Sequence, residues 1–97
     1  MGEGERTVWD DLKNEANIRL RAIDFLDLDE AFDGRFVLSR EDERRDYGEQ
    51  RFNMLVEVQG IVLNVTFTPR GDRQRIISAR VASRKERRLY HARRQDG

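Results

Sequence analysis

The chain has 97 residues, enough for one domain (1–97), and such a domain buries roughly 60–70% of its unfolded surface. Charged residues are 39%, but eight aromatics exclude wholesale disorder; zero cysteines and the single His91 exclude disulfides, thiolate chemistry and a multi-histidine metal site. The net charge of zero hides a dipole: residues 1–50 carry eight basic and fifteen acidic side chains, residues 51–97 eleven and four, which suggests an anionic partner for one half, or a solvated arginine-rich surface whose halves neutralise each other.

Residues 1–6 are polar and expected to fray, and their acidic start lacks the basic-then-apolar pattern of a secretory leader. Thr7-Val8-Trp9 suits a short edge strand. Asp10 is an N-cap for a helix over 10–21, with Leu12, Ala16 and Leu20 as its buried stripe. Asp24 caps a second, shorter helix with Phe25, Leu28 and Phe32 inward, stopped by Gly34. Phe36-Val37-Leu38 is a short strand, and the charged stretch 39–50 reads as a loop.

Two strands then alternate cleanly. Over 51–59, Phe52, Met54, Val56 and Val58 share one face. Over 61–68, Ile61, Leu63, Val65 and Phe67 do, and the segment 58–69 is too short and mixed to span a bilayer. Gln59-Gly60 forms the tight turn between them, and Pro69-Arg70-Gly71-Asp72 the next. A third strand over 73–81 has less regular parity: Ile77, Ala79 and Val81 read as core and Gln74, Ile76, Ser78 and Arg80 as the other face, which puts Arg75 on the core side near the strand start, reaching out past the sheet edge. Ser83-Arg84-Lys85-Glu86 is a capping box opening a basic helix over 83–94, anchored by Leu89 and Ala92 with Tyr90 beside them. The pattern is α+β, helices packed on an antiparallel sheet.

The outer face of the hairpin offers arginines, amides, hydroxyls and carboxylates. Such a set suits RNA cleavage, which needs a base for the 2′-hydroxyl proton, a cation for the crowded phosphate and an acid for the leaving oxygen. Glu49 or Glu57 is the candidate base; Arg51, Arg75 and Arg80 are candidate phosphate groups; Tyr47 is a candidate proton donor or stacking ring. A solvated polar face accounts for the same residues without chemistry. No Gly-rich phosphate loop or metal-ligand spacing is present, and no cofactor is expected.

Several segments occur in the order found in one family. They are Trp9-Asp10 with Lys13 and Asn17; Ile23-Asp24-Phe25; Ala31-Phe32-Asp33; Asp46-Tyr47-Gly48-Glu49-Gln50-Arg51-Phe52; Thr68-Pro69-Arg70-Gly71-Asp72; Arg75-Ile76-Ile77-Ser78-Ala79-Arg80; and Ser83-Arg84-Lys85-Glu86-Arg87 with Tyr90. Over about residues 7–91 the chain resembles the BrnT toxins of bacterial type II toxin–antitoxin systems. The resemblance implies a RelE-like α+β fold: an antiparallel sheet with two N-terminal helices and one C-terminal helix. It implies a cytoplasmic endoribonuclease that cleaves RNA and arrests translation and growth, without membrane association. It also implies a BrnA-like ribbon-helix-helix antitoxin, with operator DNA bound only through the joint complex. Two positions depart from the family pattern. Leu20-Arg21-Ala22 replaces the usual Lys-His-Gly, so Arg21 keeps a charge but cannot shuttle a proton near neutral pH. Asp33-Gly34 replaces a frequent Asp-Pro. A non-catalytic interaction module is the rival reading, and duplex DNA binding by the last helix a third.

Overall fold

A computed structural model describes residues 1–96. Its strands are β1 (Gly2–Glu3), β2 (Thr7–Trp9), β3 (Val37–Glu41), β4 (Phe52–Val58), β5 (Ile61–Arg70) and β6 (Arg73–Val81). The helices are α1 (Asp11–Arg21), a 3₁₀ segment (Phe25–Phe32) and α2 (Arg84–Asp96). The strands form one sheet in the order β1-β2-β6-β5-β4-β3. This is the expected α+β class, with two corrections. The sheet is mixed, because β2 runs parallel to β6, and one α-helix rather than two precedes the β3–β6 run.

The second helix is 3₁₀ for a reason visible in its side chains. Phe25, Leu28 and Ala31 recur every three residues and all are buried, and three residues per turn is the 3₁₀ repeat. Residues 2–3, expected to fray, instead pair with β2. β3 continues through Arg40 and Glu41, so the loop begins at Asp42. The turn at Gln59-Gly60 has positive φ at both residues (51° and 81°), the requirement of a two-residue hairpin of type I′.

The sheet buries both faces, unequally. Against the 3₁₀ segment pack Trp9, Met54, Val56, Leu63, Val65, Ile76 and Ala79, with Phe32 edge-on to Phe67 at 5.1 Å. On the opposite face a smaller cluster of Leu55, Val62, Ala82 and Tyr90 lies under α2. Tyr90 is the buried anchor of that helix, its hydroxyl donating to the Phe36 carbonyl at 3.3 Å. Leu89 and Ala92, expected to anchor α2, are exposed.

Two expectations about side-chain facing are overturned. Leu12 and Leu20 are 75% and 73% exposed, while Asn17 is the buried residue of α1. α1 lies along β6, which β2 accompanies only as far as Trp9↔Ile76. Beyond that point the edge N–H of Ala79 donates to the Asn17 Oδ1 at 3.1 Å, and the Asn17 Nδ2 donates to the Ile23 carbonyl at 3.1 Å. The contact side of the helix is polar because its task is to satisfy backbone. In β6 the register runs Thr66↔Ser78 and then Phe67↔Ile76, leaving Ile77 as the extra residue of a β-bulge. The bulge turns Ile76, expected on the outer face, into the main core together with Ala79, leaves Val81 about half exposed, and puts Arg75 on the polar face instead of the core side.

Candidate functional site

On the face that carries α2, strand register sorts side chains into rows about 6.6 Å apart, two residues at about 3.3 Å rise each. One row is Arg40, Asn53, Thr66 and Ser78; the next is Leu38, Leu55, Asn64 and Arg80. On the other side of the first row Thr68 pairs with Arg75, and Arg51 immediately precedes β4. A cleft of about 250 Å³ opens over the first two rows. Arg21 from the end of α1, Arg40 from β3, Arg44 from the following loop and Arg80 from β6 line it, around Asn53, Thr66 and Ser78. The Thr66 hydroxyl donates to the Asn53 Oδ1 at 2.7 Å, which fixes the middle of the row.

Each arginine is held differently. Arg80 donates from both terminal nitrogens to the Glu86 carboxylate, at 2.8 and 3.0 Å. Glu86 also accepts from the Ser83 N–H at 2.8 Å and the Asn64 Nδ2 at 2.9 Å, while its own N–H donates to the Ser83 Oγ at 3.1 Å. The capping box thus closes as the sequence indicates, and its glutamate does a second job at the cleft. The Arg80 guanidinium, foremost, and these other donors hold the Glu86 carboxyl down to about 2, so it stays ionised and is a poor base near neutral pH.

Arg44 is fixed by Asp42, whose carboxylate is almost fully buried. It accepts from the Arg44 Nε at 2.8 Å, the Arg44 Nη2 at 2.7 Å and the Tyr47 hydroxyl at 3.1 Å. These donors, Arg44 foremost, hold the Asp42 carboxyl far below the usual carboxylate range. The Asp42 N–H donates to the Arg51 carbonyl at 2.7 Å, which closes the loop on itself. Among the described residues Arg21, Arg40 and Arg75 make no ion pair. The Nε of Arg75 is buried without a hydrogen-bond partner.

The five residues singled out from the sequence are placed as follows. Arg51, Arg75 and Arg80 share the polar face, but the rows of Arg75 and Arg80 are about 13 Å apart along the strand, so no single phosphate meets both backbones closely. Glu49 sits beside Arg51, accepting from its Nε at 3.1 Å, and the Arg51 guanidinium lies 4.3 Å from the Tyr47 ring centre. Glu57 is separated from this group. It lies at the α2 end of the face, three rows or about 20 Å from Arg51, and accepts from Arg94 at 3.4 Å. His91 is exposed on α2, its ring edge-on to Tyr90 at 5.4 Å. Sequence reasoning missed Arg40 and Arg44, and met Arg21 only as the replacement of a family histidine, not as a site residue. The signal for Arg40 was present: continuing the Leu38 parity by two residues places it on the same face as Asn53. Arg21 was marked only by its place in the family pattern, and Arg44 arrives through tertiary packing with no such sign.

Chemically, the cleft combines guanidinium groups from four separate elements with amide and hydroxyl donors, a set that grips a phosphodiester and its sugar. A family model described as the ribonuclease toxin, BrnT, of type II toxin–antitoxin systems matches residues 9–86 of the chain. A search of the curated proteins finds no match.

Proposed function

Since the chain belongs to the BrnT family of ribonuclease toxins of type II toxin–antitoxin systems, we propose that it cleaves RNA on the polar face of the sheet, arresting translation and growth. The observation that supports this most directly is the convergence of Arg21, Arg40, Arg44 and Arg80 on one cleft, with Arg21 and Arg40 unpaired among the described residues. In this reading Arg21 and Arg40 take the phosphate oxygens, and Arg80, oriented by Glu86, stabilises charge that develops as the 2′-oxygen attacks phosphorus and the P–O5′ bond breaks, leaving a 2′,3′-cyclic phosphate and a 5′-oxygen that takes its proton from water. Asn53 and Ser78 orient the sugar. Arg51 and Arg75, one row away, hold the neighbouring backbone.

Arg21 stands where the resemblance has a histidine, and it cannot accept a proton near neutral pH. Proton acceptance therefore falls to a carboxylate. Both carboxylates accept from an arginine; Glu49 is the better candidate than Glu57, because its partner Arg51 is itself one of the backbone-holding groups of this reading, whereas Glu57 is held toward α2 by Arg94. The antitoxin of the pair is read as a BrnA-like ribbon-helix-helix protein, through which operator DNA is bound, and the RelE-like relationship and cytoplasmic setting follow from the same resemblance.

The test is cleavage of a single-stranded RNA by the purified protein, with Arg40→Ala as the comparison. Arg40 makes no ion pair, so folding should be retained, and the rate should fall by about 10²-fold, the scale of losing one transition-state charge partner. RNA left intact by the wild-type protein, or cleaved equally fast by a folded Arg40→Ala, would overturn the reading.

A further inference from the structure

A second depression, of about 650 Å³, lies between α2 and the β3–β4 edge of the sheet. It borders the cleft and shares Arg40, Asn53, Asn64 and Glu86 with it, but its floor is different in kind. Leu38, Leu55 and Leu89 supply apolar surface, and Leu89 is 48% exposed on a helix that buries Tyr90. The rim carries Arg40, Lys85 and Arg93, none of which makes an ion pair among the described residues. α2 as a whole holds six basic side chains against two acidic ones.

An apolar floor under an unneutralised cationic rim fits a protein segment with leucine-like side chains on one side and carboxylates on the other. RNA fits it poorly, since no aromatic ring lines this groove for a base to stack on. Resting on the toxin reading above, we propose that this groove docks an acidic, amphipathic segment of the antitoxin. Apolar side chains sit on Leu38, Leu55 and Leu89, and carboxylates meet Arg40, Lys85 and Arg93. Because Arg40 belongs to both depressions, a carboxylate bound there removes a cation from the RNA cleft. Neutralisation then comes from competition for one guanidinium, with no rearrangement of the sheet.

The test is titration of the full-length protein with its antitoxin, alongside titration with a single-stranded RNA. Leu89→Glu and Arg93→Glu, both at exposed positions, should each weaken antitoxin binding about tenfold or more while leaving RNA cleavage by the free protein at the wild-type rate. In cells, growth arrest by these variants should no longer be relieved by co-expressed antitoxin. Unchanged antitoxin affinity in both variants, at wild-type melting temperature, overturns the proposal. So does a fall in RNA affinity with antitoxin affinity intact, which would make the groove an RNA surface. Failure of the wild-type protein to cleave RNA counts against the ribonuclease reading instead, and the antitoxin titration still decides the groove.

Discussion

Replacing Ala22 by glycine should stabilise the protein. Ala22 ends α1 in the left-handed conformation, φ 59° and ψ 30°, with its N–H donating to the Ile18 carbonyl at 2.8 Å. That conformation costs an L-residue about 1–2 kcal/mol, which glycine avoids. Glycine forfeits about 0.5–1 kcal/mol through the greater freedom of its unfolded chain. Ala22 is exposed, so removing its methyl leaves no cavity. The net gain is about 0.5–1 kcal/mol, or roughly 2–8 °C in melting temperature for a chain of this size. Thermal and urea unfolding of Ala22→Gly beside Gly60→Ala make the comparison sharp. Gly60 has φ 81° in the hairpin turn, so the second substitution should move the melting temperature in the opposite direction. If Gly60→Ala lowers it and Ala22→Gly leaves it unchanged or lower, the backbone argument for the α1 terminus is wrong.

Asn17→Ala removes the partner of the Ala79 edge N–H and should cost about 1–3 kcal/mol in urea unfolding; a loss under 0.5 kcal/mol would show that water replaces the amide. Leu12→Ser and Leu20→Ser should each change stability by less than about 0.5 kcal/mol, because both side chains face solvent, and a loss of 2 kcal/mol or more would mean that they are packed. The Glu86 carboxyl is depressed in the folded state, so its contribution is fully present above about pH 4.5 and is lost as pH falls toward about 2. Allowing for partial exposure, this amounts to about 2 kcal/mol, and in acid-unfolding curves Glu86→Gln should flatten the corresponding part of the decline.

The sequence was most readable where one physical rule acted alone. Alternation in 52–58 and 61–68 gave β4 and β5, and the Ser83/Glu86 spacing gave the start of α2, because neither depends on distant residues. It misled where periodicity had to stand in for a tertiary context. The Leu12/Ala16/Leu20 stripe has helical spacing, but α1 meets the sheet through Asn17, and nothing local reports that an edge N–H sixty residues away needs an acceptor. The 3₁₀ winding of Phe25–Phe32 was missed because both helix types place Phe25 and Leu28 on one side; Ala31, rather than Phe32, decides between them. At the candidate site, arginines on regular strands could be assigned a face, apart from Arg75 beyond the bulge. Arg21 and Arg44 come from a helix end and a loop, whose positions only the folded chain specifies.

The extra residue at Ile77 sets the phase of the whole of β6. On one side of it Arg75 faces outward and Ile76 inward; on the other, Ser78 and Arg80 face outward and Ala79 inward. Pairing Ile77 with Phe67 in a regular ladder would instead turn the Arg75–Ile76 half over, driving a guanidinium toward the hydrophobic layer and an isoleucine out of it. Without Ile77, Arg75, Ile76, Ser78, Ala79 and Arg80 would alternate unbroken and keep the faces they have, so looping that residue out is how the strand carries one more residue than its oil-and-charge pattern has room for.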